Sequence, residues 1–254
     1  MAHIFNTKKS LEREVKELSF KATVGSWTAA TATLDLANDI VLTSVAKGDS
    51  RNTTTLTLQV AAAAANPTNT VLAVFTGTAS AIVLTITPND GTNNSATPVN
   101  LTTAQVAELI TNGTVSGKSI TVTDASSLRA LQTATGGGAQ NVADGGEGDG
   151  AVATFANGAV PNPTLDDSLG FASLVRNSAG DYTLTLQDTY YALKFVKGKI
   201  LSSTAIDLRV QLHSEAVSSS KTIRFMTITG STKTDIPENT SLVMHLDLKN
   251  TAGF

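Results

Sequence analysis

The chain contains no cysteine, so neither a disulfide framework nor a thiolate site is available to it, and a Cys-His nucleophile is excluded. Its stability must come from packing, strand pairing or assembly. Aromatic residues are scarce at 5%, with Trp27 the single tryptophan, which leaves little for the stacking faces that sugar-binding surfaces use. Charge is scarce as well. Only 15% of the 254 residues are charged and the net charge is -3, so no basic stripe is present to neutralise phosphates, and nucleic acid is not an expected partner. No run is apolar enough to span a bilayer, and MAHIFNTKKSLEREVKEL lacks the apolar core of a secretory signal. The expectation is a chain made and kept in a cytoplasm, away from membranes.

What remains is a Thr-, Ser-, Asn- and Gly-rich surface over a 41% hydrophobic interior. Thr is β-branched, and Asn and Gly tolerate positive φ, so this composition suits strands and turns. The length is enough for two domains. Leu11, Val15 and Leu18 are spaced as one face of a short helix over Lys8–Leu18, or else an extended arm leads into a strand at Ser19–Val24. Strands are expected at Thr31–Leu36 and Ile40–Val45. In the middle, Thr54–Ala64, Val71–Phe75 and Ala81–Thr87 read as strands ahead of the turn Pro88-Asn89-Asp90-Gly91.

LTTAQVAELITNG carries the clearest local signal. Thr102 with Gln105 forms a capping box, Leu101 and Val106 a hydrophobic staple, and Asn112-Gly113 a left-handed stop, so a helix is predicted over Thr103–Thr111. A strand at Ser119–Thr123 follows. Asp124 then reads as the cap of a second helix, Ala125–Ala134, ended by Gly136-Gly137-Gly138. A strand at Ala151–Ala156 closes this segment.

From Leu165 the pattern is β: Tyr182–Gln187, Tyr191–Ile200, Ala205–His213, Lys221–Thr229 and Ser241–Lys249. Ile206, Leu208, Val210 and Leu212, and again Leu242, Met244, Leu246 and Leu248, alternate with polar positions and are expected to face a core. The fold class expected is mainly β. An antiparallel sandwich or jelly-roll-like host domain of residues 1–50 and 164–254, with an N-terminal arm 1–18, would carry an inserted small α+β domain, 51–163. TLTLQ occurs at Thr55–Gln59 and at Thr183–Gln187. It is strand pattern, with the leucines on one face, and carries no function.

Candidate chemistry is sparse. In ADGGEGDG, Asp144, Glu147 and Asp149 are the weak candidate for a metal site, because Ca²⁺ takes several oxygens from a flexible loop; the spacing lacks the terminal bidentate Glu of an EF-hand, and a solvated hinge is the reading preferred. Gly136-Gly137-Gly138 has no nearby Lys and does not lead from a strand into a helix, so it is no phosphate cradle. His3, His213 and His245 are scattered and make a poor zinc set. No Gly-x-Ser-x-Gly elbow is present. Of Tyr190 and Tyr191, strand geometry puts one in the core and the other at the surface. No catalytic residue, cofactor or metal is expected.

The stretch from VAAAAANPTNTVLAVFTGTASAIVLTITPNDG through LTTAQVAELITNG to ADGGEGDG resembles an inserted module of tailed-phage virion proteins. RNSAGDYTLTLQDTYYAL and the final HLDLKN are similar to capsid-associated proteins of the decoration, or cement, type. The resemblance implies a non-enzymatic, β-rich protein, often a homotrimer, placed on the capsid surface of a virion with the major capsid protein as partner. A tail or fibre component, whether tube, adaptor or adhesin, is the alternative.

Overall fold

The computed structural model describes residues 15–66, 68–91, 99–166 and 169–250. Strands account for 53% of it and helices for 7%, which makes the protein mainly β. Two compact units are present: Trp27–Val160 forms one, and the chain up to Ser26 together with Pro161 onward forms the other.

β1 (Val15–Thr23) belongs to the flanking unit. Leu18, Phe20 and Ala22 are buried and alternate with exposed neighbours. A helix continuing to Leu18 is therefore not formed; that stretch is committed to a ladder. The remainder of the arm, before Val15, lies outside the described residues.

The chain then builds the whole of the second unit. β2 (Ala29–Leu34), β3 (Ile40–Lys47) and β8 (Gln132–Gly136) form an antiparallel three-stranded sheet in the order β2-β3-β8. β4 (Thr55–Val60), β5 (Val71–Thr78), β6 (Ala81–Thr87), β7 (Ile120–Thr123) and β9 (Val152–Thr154) form a mixed sheet in the order β7-β5-β6-β4-β9. α1 (Thr103–Asn112) packs on β8. Leu34, Ile40, Leu42, Leu56, Leu58, Ile82, Leu84 and Ile86 from the strands and Val106, Leu109 and Ile110 from α1 join in one buried cluster. Burying each such side chain contributes about 1.5–3 kcal/mol before entropy is counted.

Two expectations are corrected in this unit. Residues 27–50 do not pair with the C-terminal strands: β3 runs from Ile40↔Gly136 to Ser44↔Gln132 against β8. Their apolar side chains Leu34, Ile40 and Leu42 are spent on the second unit's core. The helix expected over Ala125–Ala134 is also absent. Asp124 does cap, accepting from the Leu128 and Arg129 amides at 2.7 and 3.0 Å. Only a 3-10 turn, Arg129–Leu131, follows, because Ser127 stands at φ 53, outside the helical region, and the next residues enter β8.

The other unit is completed by β10 (Thr164–Leu165), β11 (Phe171–Ser178), β12 (Asp181–Leu186), β13 (Ala192–Leu201), β14 (Arg209–Ala216), β15 (Thr222–Thr229), β16 (Thr232–Lys233) and β17 (Ser241–Lys249). One sheet runs β10-β1-β17-β13. The other runs β11-β12-β15-β14, with β16 on β15. Leu242, Met244, Leu246 and Leu248 are all fully buried, as their alternation requires. Phe20 meets Phe171 edge-on at 4.8 Å, tying β1 of one sheet to β11 of the other. The second alternating set behaves differently: Ile206 and Leu208 precede β14, and Leu212 stays 38% exposed. β14 is a sheet margin, so its alternation has no full layer of partners to bury against.

Candidate functional site

The acidic loop lies beside a cleft of about 430 Å³ lined by Asp35, Leu36, Ala37 and the stretch 146–151. Two of its three carboxylates, Asp149 and Glu147, are engaged by backbone. Asp149 accepts the Val60 amide at 3.0 Å through Oδ1 and the Gly145 amide at 3.1 Å through Oδ2. Those amides, Val60 first, hold its carboxyl below the ordinary value. Glu147 accepts the Ala37 amide at 2.8 Å, and Asp144 is exposed. Asp149 and Glu147 thus staple the loop to β4 and to the turn after β2. Among the described residues no group of three His, Cys, Asp or Glu is placed to hold a metal ion.

The glycine run serves packing. Gly137 donates its amide to the Asp39 carbonyl at 2.8 Å, and Gly138 donates to Thr103 Oγ1 at 2.8 Å while its carbonyl accepts the Ala104 amide. Those amides are already used within the fold. His3 lies outside the described residues. His213 is exposed on β14, and His245 Nε2 on β17 lies 3.1 Å from Asp247 Oδ1. These two histidines sit in different sheets.

Sequence reasoning missed the densest charge cluster among the described residues. It occupies one end of the β11-β12-β15 sheet. Asp235, 9% exposed, takes a two-pronged contact from Arg176 through Nε and Nη2, both at 2.8 Å, and also accepts the Gly180 amide at 2.9 Å and the Tyr182 hydroxyl at 3.1 Å. Tyr182 in turn accepts the Ile236 amide at 3.1 Å. Asp181, 1% exposed, takes Arg224 through two contacts at 2.7 Å, Lys233 at 2.9 Å and Asn177 at 3.2 Å. The cations lie 43 to 59 residues away from these carboxylates along the chain for Arg224 and Arg176, so no local pattern announces them.

The protonation states follow from these partners. Arg224 is the main cause that holds Asp181 far below the ordinary carboxylate value, against the upward pull of burial. For Asp235 burial is the largest influence and pushes upward, but the Arg176, Gly180 and Tyr182 donors together outweigh it and leave the group low. Burial, with the Asp235 charge adding to it, pushes the Tyr182 phenol far up. Both carboxylates are ionised, the phenol is neutral, and each is saturated with partners. That arrangement fixes strands and leaves no free base or nucleophile in this cluster.

Arg51 is the opposite case. It is 8% exposed and Nη1 donates to the Ala79 carbonyl, while Nε and Nη2 are buried without a partner among the described residues, and desolvation draws its pKa down. Tyr190 is buried and Tyr191 is 53% exposed, the expected division, but both precede β13 (Ala192–Leu201) and so strand alternation is not its cause. Comparison with protein-family models, with the curated proteins and with the solved structures finds no match in any of the three.

Proposed function

We propose that the protein is a non-enzymatic structural component of a tailed-phage virion, a decoration protein that binds the outer capsid lattice and stabilises the head. The supporting observation is where the charge goes. In a chain with so few charged residues, the buried carboxylates Asp181 and Asp235 are fully paired and the loop carboxylates Asp149 and Glu147 hold backbone amides. Such spending favours rigidity. The sequence resemblance supplies the particle, and the major capsid protein is the partner it implies.

In this reading the flanking unit is a two-sheet sandwich and host, the second unit is inserted in it, and the host carries the capsid contacts. A symmetric oligomer, a homotrimer by resemblance, holds the lattice by several modest contacts at once, because each contact after the first is effectively intramolecular. The test is co-sedimentation of the purified protein with phage heads and, separately, with tails. Saturable binding to heads supports the proposal; binding to tails alone transfers the protein to the tail or fibre, and binding to neither removes it from the virion.

A further inference from the structure

One margin of the flanking unit is built unlike the others. β13 ends the β10-β1-β17-β13 sheet, and from Phe195 to Leu201 its register with β17 is unbroken, running from Phe195↔Asp247 to Leu201↔Ser241. The Lys249 carbonyl accepts from Tyr191, and the Thr240 carbonyl accepts from Val24. Odd-numbered residues of β17 therefore bond toward β13, and even-numbered ones toward β1. Their β13 partners Phe195, Lys197, Lys199 and Leu201 bond inward, which leaves the N–H and C=O groups of Val196, Gly198 and Ile200 aimed away from the sheet.

Other margins among the described residues are closed or blunted. β10 has two residues, β9 three and β7 four. β11 carries two register shifts, and β14 is shifted at His213, near its middle. β2 is bridged by Thr31↔Ala156 and Thr28↔Ala159. Short strands, bulges and edge lysines are the usual protection of an edge; β13 has one register shift, between Leu193 and Phe195, and beyond it the strand is regular and carries only Lys197 and Lys199 as its guard.

The side chains along this edge differ by face. Lys197 and Lys199 are exposed on the outer face with Phe195 and Leu201, which are 48% and 41% exposed. Among the described residues neither lysine enters an ion pair. On the inner face Val196 and Ile200 are half-buried, and Val210 of β14 sits over Gly198, so close that a Cβ there would lie 2.6 Å from Val210 Cγ1. A strand added here meets lysines on one face and aliphatic side chains on the other. A second copy of β13 would bring Lys against Lys, so self-pairing is disfavoured.

We infer that the β13 edge is a strand-addition site for an extended segment of a partner protein that alternates acidic and apolar residues, the acids meeting Lys197 and Lys199 and the apolar residues covering Val196, Ile200 and Val210. The backbone groups of Val196, Gly198 and Ile200 supply the ladder and the side chains supply the selection. This goes beyond the virion assignment and does not depend on it, because the edge chemistry is the same whatever particle holds the protein.

The test uses the full chain and a labelled peptide of alternating Val and Glu, about seven residues long to match Phe195–Leu201, with its Val/Lys counterpart as control. Fluorescence anisotropy is expected to show salt-sensitive binding of the Val/Glu peptide only. The double variant Lys197→Glu, Lys199→Glu should weaken it at least about tenfold. Ile200→Pro, whose N–H faces outward and is not needed by the native ladder, should abolish it with circular dichroism unchanged. Backbone N-methylation of the peptide should abolish it too, and this arm leaves the protein untouched should the proline variant lose its fold. Absence of binding, equal binding of the Val/Lys peptide, or indifference to the lysine reversal overturns the inference. Sedimentation showing pairs of this chain that Ile200→Pro dissolves would overturn it in favour of a second copy.

Discussion

Asp235 is the residue on which the flanking unit turns. Its two oxygens receive Arg176, Gly180 and Tyr182, so Asp235→Ala removes the acceptor that these three donors share. A cost of about 3–5 kcal/mol in that unit is expected, because removing one member of a buried, hydrogen-bonded charge pair is strongly destabilising; urea unfolding followed by circular dichroism reads it. Acid should act on the same cluster. Asp181 and Asp235 are both lower in the fold than unfolded, so their contribution is complete above the unfolded carboxylate value of about 4 and is lost as pH falls through the folded values. The melting temperature should fall on acidification below about pH 4. Asp181→Asn should flatten that fall and lower the neutral plateau; an unchanged slope would remove Asp181 from the cause. None of this was legible in sequence, since the partners lie 43 to 59 residues apart along the chain. The acidic loop was legible as a cluster, yet its acids turn out to hold amides, a use that composition does not distinguish from metal binding.

Among the elements, α1 was readable because its signals are local. Thr102 accepts the Gln105 amide at 3.2 Å, Gln105 returns a contact to the Thr102 amide at 3.0 Å, and Gly113 closes the helix at φ 73. β8 was not readable, because Leu128 and Leu131 have helical spacing while β3 offers the stronger ladder. The glycine run that follows β8 is the sharpest test of how the two meet. A Cβ at Gly137 would lie 2.6 Å from the Ala104 nitrogen and 2.6 Å from the Thr103 carbonyl carbon, and φ is +78. Gly137→Ala must therefore displace the start of α1, and we expect a loss of at least about 2 kcal/mol, against about 1 kcal/mol for Thr102→Ala, which removes only the cap. Equal losses in thermal unfolding would contradict the close approach.

At the scale of the whole molecule, sequence reading recognised two parts and a mainly β class but placed the first boundary too late. Residues 27–50 look like any alternating strands; only their register with β8 assigns them. The structural division at Ser26 and Pro161 predicts what a cut at 51 does not. The fragment Trp27–Val160, closed by the Thr28↔Ala159 bridge, should unfold cooperatively alone. A fragment beginning at Arg51 should lose that cooperativity, because β8 loses β3. Calorimetry of both fragments decides between the boundaries.

The proposed role for this mainly β protein is to bind a virion and brace it. A cryo-electron map of the intact particle, with this chain traced into it, tests that most directly. Density on the outer capsid lattice, with the flanking unit in contact with the shell, is the predicted result. Density confined to the tail or a fibre would contradict the decoration role, and absence from the particle would contradict the virion assignment itself.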